Sequence, residues 1–254
     1  MPNPINVLAL FAHPDDAEFL CAGTLAHLAG RVAEIHIATL TAGDCGSTTL
    51  PAAGIAALRQ QEASRAAAKI GARCHCLKSK DLLIFYDHAH LNKVMELVRQ
   101  TRPSLVLTHS PVDYMVDHET VSRLCQTACF GAMAPNYKTG ARHPAPPLSG
   151  IPHLYYADAF GRRDILGKKI ESSMSVNISA TLKRKEEMLA CHESQQAWLQ
   201  TQQDIPQTLL TMRKMARDAG KHARFRWAEG FRQHLGQGFP STNLLKELLG
   251  ALVR

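Results

Sequence analysis

Phe11-Ala12-His13-Pro14-Asp15-Asp16-Ala17-Glu18 is the stretch from which the fold is read. It follows a mostly apolar run, Ile5 to Leu10, that reads as a buried parallel strand. It precedes Phe19-Leu20-Cys21-Ala22-Gly23-Thr24-Leu25-Ala26, which reads as the first turns of a helix. Ligands of open α/β sheets sit at strand ends. A histidine and two carboxylates within four positions do not bury there quietly, because adjacent aspartates repel and need a compensating charge. A divalent metal supplies one, and imidazole and carboxylate are ordinary zinc ligands. Pro14 fixes one φ angle and biases His13 towards an extended backbone, so the turn is stiff. The competing reading is a capping turn, with Asp16 as N-cap and Glu18 in the first helical turn. That reading leaves His13 and the paired charge unexplained.

Working outward, Val32 to Leu40 alternates and is β-branched, a second strand, and Thr41 to Thr49 is a Gly/Ser/Thr loop at its end. That loop lacks the Gly-Lys-Ser/Thr of a phosphate loop. A helix is predicted over 55–70 and a short strand over 74–77. A second helix runs over 87–102, closed by Pro103, and a strand over 105–108. That strand ends in a second polar cluster, His109-Ser110-Pro111-Val112-Asp113-Tyr114-Met115-Val116-Asp117-His118-Glu119, with a helix from about 117 to 133. The alternating order implies a Rossmann-like parallel sheet flanked by helices, with right-handed crossovers. Residues 134–152 carry five prolines, a long loop of the kind used as a lid or an interface. A fifth strand over 153–157, a long helix over 181–200, a helix over 208–220 and a short amphipathic helix over 242–253 complete the reading. The chain is thus read as one domain, a core of about 1–160 and a mostly helical C-terminal extension of about 170–254. The leucine stripe of the tail reads as core or subunit contact.

The bulk numbers exclude several classes. The 254 residues are 45% hydrophobic and 20% charged, ordinary for a soluble globular protein. No apolar run approaches the roughly 20 residues of a membrane span. The start, Met1-Pro2-Asn3-Pro4, has no basic n-region, so no signal peptide is expected. Seven scattered cysteines predict reduced thiols in a cytoplasmic setting, with Cys125 and Cys129 as small buried apolar residues. The net charge of +7 suits anionic substrates or a weakly basic surface. Without a Lys/Arg block interleaved with aromatics, nucleic acid is not an expected partner.

A doubly wound sheet brings the two polar clusters together, offering His13, Asp16 and His118. Two His and one carboxylate plus water is a catalytic zinc arrangement. Asp15 is then the leftover carboxylate, with general base as its natural role. Asp117 reads either as a partner holding a ligand imidazole or as an N-cap. Arg59 reads either as a substrate group or as a solvated arginine paired with Glu62.

His13-Pro14-Asp15-Asp16, opening a helix after the first strand, resembles the signature of the PIG-L/LmbE-like family of zinc-dependent N-deacetylases. The resemblance continues through Thr41-x-Gly43-Asp44, Arg59 and Glu62, Asp117-His118, Ile151-Pro152-x-Leu154-Tyr155-Tyr156 and His192-Glu193-Ser194-Gln195. It implies His13, Asp16 and His118 as ligands of Zn2+ or another divalent metal, Asp15 as base, and Arg59 as a substrate-binding arginine. Asp44 and Asp87 match acidic residues that contact sugar hydroxyls. The implied substrate is an acetylated amino sugar or similar small molecule, and the implied assembly is a homo-oligomer, a trimer or hexamer. One position departs. Many members read His-x-Asp-His at the later cluster, the first His serving the oxyanion or the leaving amine. Here that position is Met115, and a thioether donates no hydrogen bond. His192, His109 and Tyr114 are the expected substitutes, in that order. Two rivals stand beside the deacetylase: a hydratase on the same site, and a non-catalytic nucleotide-binding module. The module needs a Gly-x-Gly-x-x-Gly turn where this chain has His-Pro-Asp-Asp.

Overall fold

The computed structural model describes residues 5–202 and 208–254; Met1-Pro2-Asn3-Pro4, on which the signal-peptide reading rests, lies outside them. The central strand is β1 (Asn6–Phe11), bonded in parallel to β2 (Glu34–Thr41) on one side and β4 (Leu105–Thr108) on the other. Its alternation sorts the core. Val7, Ala9 and Phe11 join one apolar cluster, while Leu8, Leu10 and Ala12 join the other. A strand buried on both faces reads as a near-continuous apolar run for this reason.

β3 (Arg73–Ser79) and β5 (His153–Ala157) extend the parallel sheet to the order β3-β2-β1-β4-β5. The chain then adds an antiparallel pair absent from the sequence reading, β6 (Met174–Asn177) and β7 (Ala228–Gln233), giving a mixed sheet of seven strands. The C-terminal segment therefore contributes strands as well as helices. β7 carries Glu229, whose carboxylate accepts the Gly23 and Thr24 N–H groups and pairs with buried Lys185.

α4 (His88–Thr101) and α5 (Val116–Gly131) cover one face. On the other face lie α1 (Asp16–Leu20), α2 (Ala22–Leu28), the end of α3 (Ala52–Ala68), α6 (Leu182–Leu189), α8 (Thr208–Ala223) and α9 (Leu244–Leu249). In the tail, α9 is shorter than predicted. Asn243 caps it by accepting the Lys246 N–H, and a 3-10 turn follows. Leu244, Leu245 and Leu249 are buried in the core, so the stripe is core.

The long helix predicted over 181–200 is two. It breaks after α6, with Cys191 and His192 bonded three residues back, and resumes as α7 (Glu193–Gln202). The cause is tertiary. Glu62 of α3 takes both the Ser194 N–H (2.9 Å) and its hydroxyl (2.6 Å), capping the new helix from 132 positions away.

The proline-rich segment 134–152 is pinned to α4. Buried Arg99 donates to the carbonyls of Ala132, Ala134 and Tyr137, and Glu96 accepts from Thr139 and Ala145. Truncating Arg99 leaves three carbonyls without their donor. The expected cost of Arg99→Ala is about 2–4 kcal/mol in urea unfolding, with little change at the carboxyl edge of the sheet; a loss below 1 kcal/mol means the loop is held by its prolines instead.

Candidate active site

Strand order reverses between β1 and β4, since β1 leads to β2 on one side while β4 joins on the other. The crevice beyond such a reversal is where open sheets bind ligands. His13 leaves β1 there, and His109 to His118 leave β4 there.

Asp16 is the hub. Its Oδ2 accepts the His13 N–H at 2.7 Å and closes the turn. The same oxygen lies 3.4 Å from His13 Nδ1, and Oδ1 lies 3.6 Å from His118 Nε2. One ligand atom each from His13, Asp16 and His118 falls within 4.8 Å of the other two. Each imidazole is held by its far nitrogen: His13 Nε2 meets Asp117 Oδ2 at 3.1 Å, and His118 Nδ1 meets Asp113 Oδ1 at 2.9 Å. Carboxylates in that position fix tautomer and ring orientation at metal sites. His118 Nε2 is buried without a hydrogen-bond partner, aimed at the same point. Burial alone would lower the His13 pKa, but Asp117 and Asp16 outweigh it and raise it to about 10. Burial would raise Asp16, but the charges of His118 and His109 hold it well below the usual carboxylate range. The cluster draws in positive charge, and its donor set fits a divalent cation.

Asp15, not Asp16, occupies the N-cap position of α1, with φ 105° and no side-chain cap bond. Left-handed backbone at a non-glycine residue costs of order 1–3 kcal/mol and persists where surroundings enforce it. Here Arg59 enforces it. Its buried guanidinium donates to the Pro14 carbonyl at 2.6 Å and lies 3.5 Å from Asp15 Oδ1. A Cβ at Gly43 (φ 76°) would collide with that guanidinium, so the loop after β2 needs glycine there. Burial pushes the Asp15 carboxyl up to about 6, against the pull of Arg59. Glu62 is spent on Ser194 and does not pair with Arg59.

A cavity of about 230 Å³ opens onto this edge. His13, Asp15, Asp16, Arg59, Tyr114, Met115 and His118 line it, as do Phe19, Phe160, Gln195 and Trp198. The other expected site residues stand elsewhere. Asp44 accepts the Asp81 backbone N–H, which braces the loop. Asp87 is the exposed N-cap of α4, bonded to His90 N and Nδ1, because its carboxylate satisfies orphan helix donors. His192 is buried behind the wall, 3.5 Å from Glu18. His109 stacks on His118 (3.9 Å, 9°) and accepts the Ala12 N–H on Nε2; burial lowers it to about 4. Of the three expected substitutes for the missing His, only Tyr114 reaches the cavity. Asp113, Asp81 and Phe160 were not read from sequence as site residues. Asp113 was already inside the quoted cluster, five residues before His118. Phe160 follows β5, a third strand end on the same edge.

Residues 8–129 match the family model described as PIG-L: GlcNAc-PI de-N-acetylase. The 4-oxalmesaconate hydratase of Pseudomonas putida is 28% identical over 158 residues, 59% of each chain, so this chain spans about three fifths of the curated relative it matches. The N,N'-diacetylchitobiose deacetylase of Pyrococcus horikoshii superposes with a TM-score of 0.76 at 22% identity, covering 95% of this chain and 89% of that one. The 4-carboxy-2-hydroxymuconate hydratase of Pseudomonas putida superposes at 0.77 and 21%, covering 94% and 100%. At these identities the structural likeness is one of fold. No helix among the described residues is long and apolar enough to cross a membrane.

Two outcomes are expected. As a metal site the cluster binds about one divalent ion per chain by calorimetry; Asp113→Asn and Asp117→Asn weaken it about 10–100-fold through their imidazoles, and His118→Ala abolishes it. Buried His192 is raised because Glu18 outweighs burial. A raised folded pKa stabilises fully below the unfolded value of ~6.5 and fades as pH rises through the folded value. The stability gap between wild type and His192→Ala is therefore widest in mildly acidic buffer and narrows above neutrality; a gap that widens with pH contradicts the ion pair.

Proposed function

We propose that this chain is a metal-dependent amide hydrolase that removes a small acyl group, acetyl in the simplest case, from a small N-acylated molecule. The observation that carries it is the convergence of His13 Nδ1, Asp16 and His118 Nε2 at the cavity wall, with Asp15 beside them and free of their cluster. His13, Asp16 and His118 would hold the ion, with zinc the preferred choice for a two-imidazole, one-carboxylate set. A divalent ion there would supply Lewis acidity towards an amide carbonyl and acidify water.

The residues do the rest. Asp15, aimed into the cavity by its left-handed backbone and the Arg59 clamp, takes the proton of the attacking water and returns it to the departing amine. Asp113 and Asp117 keep both imidazoles in the tautomer that presents a lone pair to the ion. Met115 offers no donor, so Tyr114 donates to the oxyanion. Burial and the neighbouring carboxylates Asp16, Asp113 and Asp15 raise its phenol, so it keeps its proton. The non-catalytic nucleotide- or ligand-binding module is disfavoured for a nucleotide, because buried carboxylates crowd the turn where its phosphate would lie.

The hydratase reading is favoured by one observation, Met115 in place of the usual acid, and by the hydratase relatives. Product analysis decides between them. Hydrolysis releases a carboxylic acid and an amine; hydration releases neither. For zinc-loaded protein offered simple N-acyl amides, acid release is expected. It is lost in Asp15→Asn and lowered about 100–1,000-fold in kcat by Tyr114→Phe. Wild-type rates in Tyr114→Phe remove Tyr114 from the mechanism. Consumption of an unsaturated acid without amide cleavage establishes the hydratase.

A further inference from the structure

We infer that the substrate carries an apolar group, an aryl ring or a compact hydrocarbon, next to the scissile bond, rather than a polyhydroxy sugar or a polycarboxylate. This rests on the amide-hydrolase reading and names its substrate class.

Beyond the metal cluster the cavity lining includes Phe19, Leu20, Leu82, Met115, Phe160 and Trp198, with Tyr114 beside His118. Tyr114 packs on Phe160 (5.7 Å between centroids) and on His118 (5.4 Å, 87°), so aromatic side chains run from Phe160 to the metal cluster. At about 230 Å³ the space falls below the roughly 300–1,000 Å³ of drug-sized sites, so the group is small.

The polar inventory points the same way. A sugar ring brings several hydroxyls, and each one buried without a partner is penalised. The acids that sequence offered for them are spent: Asp44 on the Asp81 N–H, Asp87 on His90 at the surface. Among the described residues, the buried polar atoms left unpartnered in the wall are His118 Nε2 at the metal cluster and, beyond it, Gln195 Oε1, Thr208 Oγ1, Asp81 Oδ1 and Arg59 Nε; Gln195 and Thr208 suffice for one amide or amine N–H. A polycarboxylate needs several cations. Arg59 is the one arginine or lysine lining the cavity among the described residues, and it is already engaged with Pro14 and Asp15.

The test reads binding apart from catalysis. Zinc-loaded protein is titrated calorimetrically with N-benzylacetamide and with N-acetylglucosamine. The benzyl amide is expected to bind at least about tenfold tighter, the discrimination a hydrophobic pocket gives. Phe160→Ala is expected to erase most of that preference and Phe160→Leu to keep it. Leu82→Ser, at a residue 65% exposed and so neutral for folding, is expected to reduce it. Equal affinities, a tighter sugar, or no binding of the benzyl amide overturns the inference. Acetate release from the same two compounds is followed separately. Tight benzyl-amide binding with no release from either leaves the substrate class standing and overturns the hydrolase reading.

Discussion

The carboxyl edge of this sheet depends on the charge of Asp16. The carboxylate is almost wholly surrounded, and its nearest groups are three imidazoles, from His13, His109 and His118. A buried charge of this kind is tolerated only when paired, and removing its partners is strongly destabilising. The partners are themselves anchored: His13 to Asp117, His118 to Asp113, His109 to the Ala12 N–H. Negative charge accumulates here once Asp15, Asp81, Asp113 and Asp117 are counted around Asp16. The arrangement is stable only with added positive charge, as protons or as a cation. A divalent metal at this candidate site would compete with protons for the same atoms, so its affinity would fall as pH drops.

That constraint propagates backwards into the chain. Asp16 closes the turn by taking the His13 N–H, which drives Asp15 into left-handed backbone. Arg59 stabilises the strained turn from α3 through the Pro14 carbonyl, and the Arg59 guanidinium in turn requires glycine at 43. Three separate stretches of sequence thus specify one side-chain direction, that of the Asp15 carboxylate. A change at Gly43, far along the chain from Asp15, acts on the direction of that carboxylate through this clamp.

The sheet was legible because its signals are local. β1 is apolar on both faces and its following turn is acidic, and the two together place the strand end and its ligands. His118 and Asp16 were legible because each follows a strand that the order puts at the switch. What escaped was non-local. Nothing near residue 192 marks the helix break, because the capping group is Glu62 on another helix. Asp87 looks like a sugar ligand in isolation, yet its neighbour His90 makes it an N-cap. β6 and β7 are short, and β7 contains Glu229, Gly230 and Arg232, so its pattern hides a strand whose charge is neutralised by Lys185 and by helix donors. The aromatic wall was invisible because Phe19, Tyr114, Phe160 and Trp198 come from four distant segments.

One fold carries both a deacetylase and hydratases among the proteins this chain is similar to. Under the proposed function the metal cluster and Asp15 would supply water activation, which both reactions need. They differ in what happens to the second proton, delivered to nitrogen in one and to carbon in the other. Tyr114 and Met115 both line the cavity, and of the two only Tyr114 carries a hydrogen-bond donor. A phenol set against an apolar wall donates a hydrogen bond strongly and gives up its proton reluctantly. Such a group steadies an oxyanion well and protonates carbon poorly, and on that chemistry the balance falls towards acyl transfer to water.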